Sequence, residues 1–133
     1  MESSCNVTEP RYMLDSNVCI YLLQGLSDVA RTRVERCAPG EVVVSAIAYA
    51  EVLRGIDATD AHAMAAARAF FAVCPILPFE AGAADAYCHI PFRRARFDRL
   101  IGAHALAAGL TVVTNNEGDF ADIPGLSLEN WTR

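Results

Sequence analysis

Tyr12-Met13-Leu14-Asp15-Ser16-Asn17 decides how the rest of the chain is read. Arg11 to Leu14, with three apolar residues, fits a short buried strand, and the polar run that follows ends it. Asp15 and Ser16 both favour the N-cap position, so a helix over Asn17 to Gln24 follows, closed by Gly25. The same order recurs further on. Glu41 to Val44 is short and β-branched, Ser45 stands at a cap, and Ala46 to Ile56 has helical spacing. Leu110 to Thr114 is another β-branched strand, followed by a polar loop over Asn115 to Gly125.

The segments between these follow the same rules. Ser27 or Asp28 opens a helix over Val29 to Cys37, stopped by Pro39-Gly40. Thr59-Asp60 opens an alanine-rich helix to about Val73. Ile76 to Phe79, set between two prolines, is a short strand or an extended connection, and Glu80 to His89 is helical. Pro91 to Arg96 is a break, and Phe97 or Asp98 opens a helix to Ala108 that Gly109 closes. Leu126 to Trp131 reads as a last short strand. Strands alternating with helices predict an α/β domain, a parallel sheet covered by helices on both faces. Ligands of such sheets bind beyond the carboxyl ends of the strands.

The 133 residues predict one domain, with residues 1–10 loosely ordered, and 53% apolar composition supplies a core. The net charge is −5, from 11 basic residues, all arginine, against 16 acidic ones. An acidic total excludes a protein held on nucleic acid by bulk charge, though not a local basic patch, and it suits a partner with a basic tail. The five cysteines, Cys5, Cys19, Cys37, Cys74 and Cys88, are odd in number and form no C-x-x-C pair. They predict neither a disulfide framework nor a zinc finger, and fit a reducing cytosol. The N-terminus shows no signal-peptide pattern, and no apolar run reaches the length of a membrane span.

Four acids stand where buried strands run into loops or helices: Asp15, Glu51, Asp98 and Asp119. If the strands are neighbours, these carboxylates converge at one sheet edge. There they repel one another unless a divalent cation neutralises them. Each has a plainer alternative. Asp15 and Asp98 are also good helix caps. Glu51 lies in an otherwise apolar helix, but an exposed Glu51 pairing with Arg54 is the competing reading. Asn116 or Asp119 completes the set. Hard oxygen ligands suit Mg²⁺ or Mn²⁺ rather than zinc. His104 is expected to be a core histidine. Arg93, Arg94, Arg96 and Arg99 precede or open the Asp98 helix, either as a solvated loop or as a phosphate clamp beside the acids. Arginines that hold a phosphate backbone beside acids that hold a metal are the parts of a metal nuclease. A dehalogenase-type phosphatase would need a second aspartate two residues after Asp15, where Asn17 stands.

Taken in order, Met13 to Asn17, Ser45 to Glu51, Phe97 to Leu106, Val113 to Asn116, Asp119-Phe120, Ile123 to Leu126 and Trp131 resemble the PIN-domain ribonucleases, and among them the VapC toxins of bacterial toxin–antitoxin pairs. The resemblance runs from about Tyr12 to Trp131. It implies a Rossmann-like α/β/α sandwich with a mostly parallel sheet, a homodimer, and Mg²⁺- or Mn²⁺-dependent cleavage of RNA, often transfer or ribosomal RNA. It makes Asp15, Glu51 and Asp98 the acids of the metal site, with Asp15 and Asp98 as direct ligands and Asn116 or Asp119 in the fourth place. It implies neutralisation by a cognate VapB-type antitoxin in a hetero-oligomer. The chain departs from the family pattern at Gly102, where alanine is usual, and in a shorter stretch before Asp98. A catalytically inactive RNA- or partner-binding module is the alternative.

Overall fold

The computed structural model describes residues 9–94 and 96–133, Arg96 by its backbone alone. Most of the expectation for residues 1–10 lies outside these positions. Five strands form one sheet: β1 (Tyr12–Leu14), β2 (Val42–Ser45), β3 (Ile76–Leu77), β4 (Thr111–Val113) and β5 (Leu128–Glu129). Their order is β3-β2-β1-β4-β5, and every pairing is parallel. Successive strand side chains point to opposite faces. Met13, Leu14, Val42 to Ser45, Val112 and Val113 are nevertheless all buried, so helices cover both faces of the central strands.

Among the described residues six α-helices accompany the strands: α1 (Ser16–Leu23), α2 (Asp28–Arg36), α3 (Ala46–Arg54), α4 (Ala61–Val73), α5 (Ala81–Tyr87) and α6 (Arg96–Ala108). Side chains cap four of them. Asp15, Ser27, Ser45 and Asp60 accept hydrogen bonds from the backbone N–H groups of Val18, Ala30, Ile47 and Ala63. Gly25, Gly40, Gly109 and Gly125 turn the chain with positive φ.

The departures from the sequence reading are local. The proline-flanked segment is a strand of two residues only. α5 ends at Tyr87, and α6 begins at Arg96, one turn-position earlier than expected. The last strand stops at Glu129. Trp131 lies beyond it, fully buried, with its ring edge-to-face against Tyr12 at 4.9 Å, and its indole N–H donates to Glu129 at 2.8 Å. Core packing, rather than strand pairing, therefore makes that stretch apolar.

The strand order fixes where a ligand can sit. From β1 the chain builds outward to β2 and β3, then returns to the other side of β1 with β4 and β5. Above β1 and β4 the connections part in opposite directions, which opens a crevice at their carboxyl ends.

Candidate active site

Asp15 leaves β1 into this crevice. Its backbone N–H bonds the Val113 carbonyl at 3.0 Å, and its Oδ1 accepts from Val18 N at 2.8 Å. Asp15 thus caps α1 and lies in the crevice at the same time. With 2% of its surface exposed, burial raises its pKa to about 6, against hydrogen bonds from Thr114 and Val18 that favour the charged form. The charges of Glu51 and Asp119 contribute to the same rise.

Glu51 arrives from α3, whose start Ser45 fixes. Burial raises its pKa, a hydrogen bond with Ser16 opposes this, and the Asp98 charge adds to the rise. Its Oε1 is buried without a hydrogen-bond partner. Among the described residues no ion pair joins it to Arg54, so the exposed-pair reading of Glu51 does not hold.

Asp98 lies in the first turn of α6. Burial, then the charges of Asp119 and Asp15, then a hydrogen bond with Asp119 raise its pKa to about 6, and the Arg99 charge opposes them. Asp119 ends a short 3-10 turn, Glu117–Asp119, beyond β4. Its Oδ2 accepts from Asn116 Nδ2 at 2.7 Å, and the Asn116 N–H donates to Thr114 Oγ1 at 2.9 Å. Asn116 and Asp119, the two candidates for the fourth place, are thus one hydrogen-bonded unit.

The arginines separate. Arg93 and Arg94 are exposed, Arg93 donating to Asp122 at 3.4 Å, and close in sequence to the exposed rings of Phe92 (76%) and Phe97 (57%). The Arg96 side chain lies outside the described residues. Arg99 departs from the expectation of a phosphate contact: it is 1% exposed and turns inward to Asp122, Asp119 and Pro91. A charge run at a helix start cannot show which arginine faces the core. His104 is a core histidine as expected. Its Nδ1 lies 2.8 Å from Ser45 Oγ and its ring packs edge-to-face on Phe79, so it braces α6 against the end of β2. Asn17 is exposed on α1 and supplies no second acid beside Asp15.

Sequence reasoning missed two hydroxyls, Ser16 and Thr114, both buried beside the acids. The signal was available, since Thr114 directly follows β4 and Ser16 follows the Asp15 cap just past β1.

Among the described residues no three Asp, Glu, His or Cys side chains converge closely enough to form a finished metal cage. The donor set still fits a hard divalent cation. It consists of carboxylates that repel one another, and the buried Glu51 Oε1 has no partner from the protein.

The sequence matches the PIN domain family over residues 12–126. It is 30% identical over 132 residues to ribonuclease VapC2 of Rickettsia felis, covering 92% of this chain and 98% of that protein. It is 28% identical over 131 residues to the tRNA(fMet)-specific endonuclease VapC of Shigella flexneri, with 92% and 98% covered. A chain of the DNA-bound VapBC crystal structure from Salmonella typhimurium superposes with a TM-score of 0.82 at 27% identity, over 92% of this chain and 98% of that one. A chain of VapBC2 from Rickettsia felis, bound to a DNA fragment from its promoter, gives 0.76 at 27% identity, over 90% and 98%.

Proposed function

The chain belongs to the PIN-domain family, and on that premise we propose that it is an endoribonuclease toxin that requires Mg²⁺ or Mn²⁺ and is neutralised by a VapB-type antitoxin. One observation carries the reading. Asp15 is within electrostatic reach of Glu51, Asp98 and Asp119, and Asp98 of Glu51 and Asp119, in a crevice that buries Asp15, and only partial compensation comes from the protein. A module that only bound RNA would gain nothing from such crowding.

Asp15 and Asp98 would hold the cation, which when bound polarises the scissile phosphate and acidifies water. Glu51, with its pKa raised by burial, is suited to take the proton of the attacking water. Ser16 aims that carboxylate, and Thr114 aims Asp15. Asn116 keeps Asp119 turned into the crevice. Arg93 and Arg94 contact backbone phosphates outside the acids, where the Phe92 and Phe97 rings offer stacking faces to bases. The RNA is a transfer or ribosomal RNA.

An antitoxin fits the groove between α1, α3 and α4. This cavity of about 450 Å³ is lined by Ile20, Leu23, Val52 and Ile56, with Asp57 and Asp60 on its wall. Apolar walls and acids suit a segment with apolar and basic side chains. The toxin works as a homodimer and as a hetero-oligomer with its antitoxin. Cytosolic action fits Cys19, Cys37, Cys74 and Cys88, all free thiols. Among the described residues no helix is long and apolar enough to cross a membrane.

The test is to map cleavage ends on total RNA incubated with the purified chain and Mn²⁺. Cleavage is expected from the wild type and not from Asp15→Asn or Asp98→Asn. Equal cleavage by both variants overturns the assignment. RNA binding without cleavage by any of the three returns the chain to the class of binding modules.

A further inference from the structure

Among the fully buried side chains of the described residues only that of Trp131 is larger than that of Arg99. A guanidinium removed from water loses much solvation, and a well-packed apolar residue in its place is often no less stable. What Arg99 touches therefore bears on why it is there. Its Nη2 donates to the Asp122 carboxylate and, at 3.2 Å, to the Asp119 carbonyl. Its Nη1 donates to the Pro91 carbonyl at 3.4 Å, while its Nε is buried without a partner. One group thus ties together three segments: the first turn of α6, the connection before it, and the turn that carries Asp119. Two of these segments bear acids of the site, since Asp98 is the neighbour of Arg99 in sequence.

The grip on Asp119 is through its backbone. Its carboxylate, at the other end of the residue, meets Asn116 and Asp98. With the carbonyl fixed from the core and the carboxylate fixed by Asn116, the residue has little freedom left. The turn on which it sits is also held by short-range backbone bonds, Asp119 N to Asn116 O at 3.1 Å and Phe120 N to Glu117 O at 3.0 Å, by the Glu117 pair with Arg133 at 2.8 Å, and by buried Phe120 beside Gly102 of α6. Those contacts bring the turn to α6, but none of them grips the Asp119 carbonyl. We infer that Arg99 is a positioning residue: anchored by Asp122, it sets the Asp119 turn against α6 and so holds the Asp119 and Asp98 carboxylates together. This rests on the ribonuclease reading of the site.

A fork is needed for the task. Lysine keeps the charge but is a single point donor on a flexible stem and cannot bridge Asp122 and the Asp119 carbonyl with fixed geometry. Displacing a site residue by about 1 Å costs on the order of 100-fold in rate. The experiment measures kcat and KM on RNA, and Mn²⁺ affinity by calorimetry, for Arg99→Lys, Arg99→Met, Asp122→Asn and Phe71→Leu. Phe71 is buried in α4, away from the acids, and serves as a control for lost stability. All are assayed where each is folded. Both Arg99 variants are expected to lose about 10- to 100-fold in kcat with KM within about threefold, and to bind Mn²⁺ about tenfold more weakly. Asp122→Asn shifts both in the same direction by less, and Phe71→Leu shifts neither.

Arg99 variants whose kcat and Mn²⁺ affinity match those of Phe71→Leu overturn the inference. If neither Arg99 variant folds, Asp122→Asn decides: wild-type kcat and Mn²⁺ affinity in that variant overturn it. A wild type that binds Mn²⁺ but cuts no RNA overturns the ribonuclease reading instead. The Mn²⁺ affinities of the same variants then still decide whether Arg99 positions the acids.

Discussion

Asp15→Asn should make the cation-free protein more stable at neutral pH. The substitution keeps the helix cap, because asparagine and aspartate are about equal at the N-cap, and it removes a charge from a buried crevice. Burial raises the Asp15 pKa from 3.8 to about 6. The folded state thus favours the protonated form. The stability this confers is complete below pH 3.8 and is lost as pH rises through 6. At 1.36 kcal/mol per decade, the full loss is about 3 kcal/mol. By linkage, roughly 1 kcal/mol of it has gone by pH 4.5 and all of it by pH 7.5. Urea unfolding at the two pH values, with cation chelated, measures the difference directly. Asp15→Asn should gain about 2 kcal/mol on the wild type between pH 4.5 and pH 7.5. Adding Mn²⁺ at pH 7.5 should close that gap, because the cation stabilises the chain that binds it by RT ln(1 + [L]/Kd), about 2.7 kcal/mol at 100 times Kd. A constant difference between variant and wild type across that pH range would refute the claim that the carboxylate is stored at a cost in the empty crevice.

The remaining expectations are narrower. Gly102→Ala places a Cβ 2.6 Å from Ile123 Cδ1, so overpacking of about 1–3 kcal/mol outweighs a helix gain of about 1 kcal/mol. Ile123→Val removes the clashing carbon, and a urea double-mutant cycle should show rescue; a Gly102→Ala protein more stable than wild type contradicts it. Burial lowers the His104 pKa, so its stabilising contribution is complete above 6.5 and is lost as pH falls through the lowered value. An NMR titration should put its midpoint below 6.5, and a midpoint at or above that value removes the bracing role. Asn116→Ala should lower kcat by about 10-fold with little change in melting temperature, since it releases Asp119 at a partly exposed position; unchanged kcat would show that Asp119 needs no support.

The fold was legible because three apolar strands each end in a residue that also opens or precedes the next element. Asp15 and Ser45 carry strand end and helix cap in one position. Asp15 was legible for the same reason, whereas Glu51 stood out as an acid in an otherwise apolar helical stretch and Asp98 as one at a helix start. The fourth place was not, because the distance from Asn116 to Asp119 depends on a 3-10 turn that leaves no periodic trace. Arg99 was misread because charge gives no sign of burial; the residue that draws it inward, Asp122, lies 23 positions on in a loop. Trp131 was read as strand because a buried ring and a strand residue look alike in composition.

The central place of β1 has a consequence for how the protein is made. Tyr12 pairs with Thr111, a separation of 111 − 12 = 99 positions, so this contact closes only when most of the chain exists. A chain that stops before β4 already carries Asp15, Glu51 and Asp98, yet lacks the strand beside β1 and the turn that bears Asp119. On the ribosome, therefore, the site stays unfinished until β4 and the turn after it have been made.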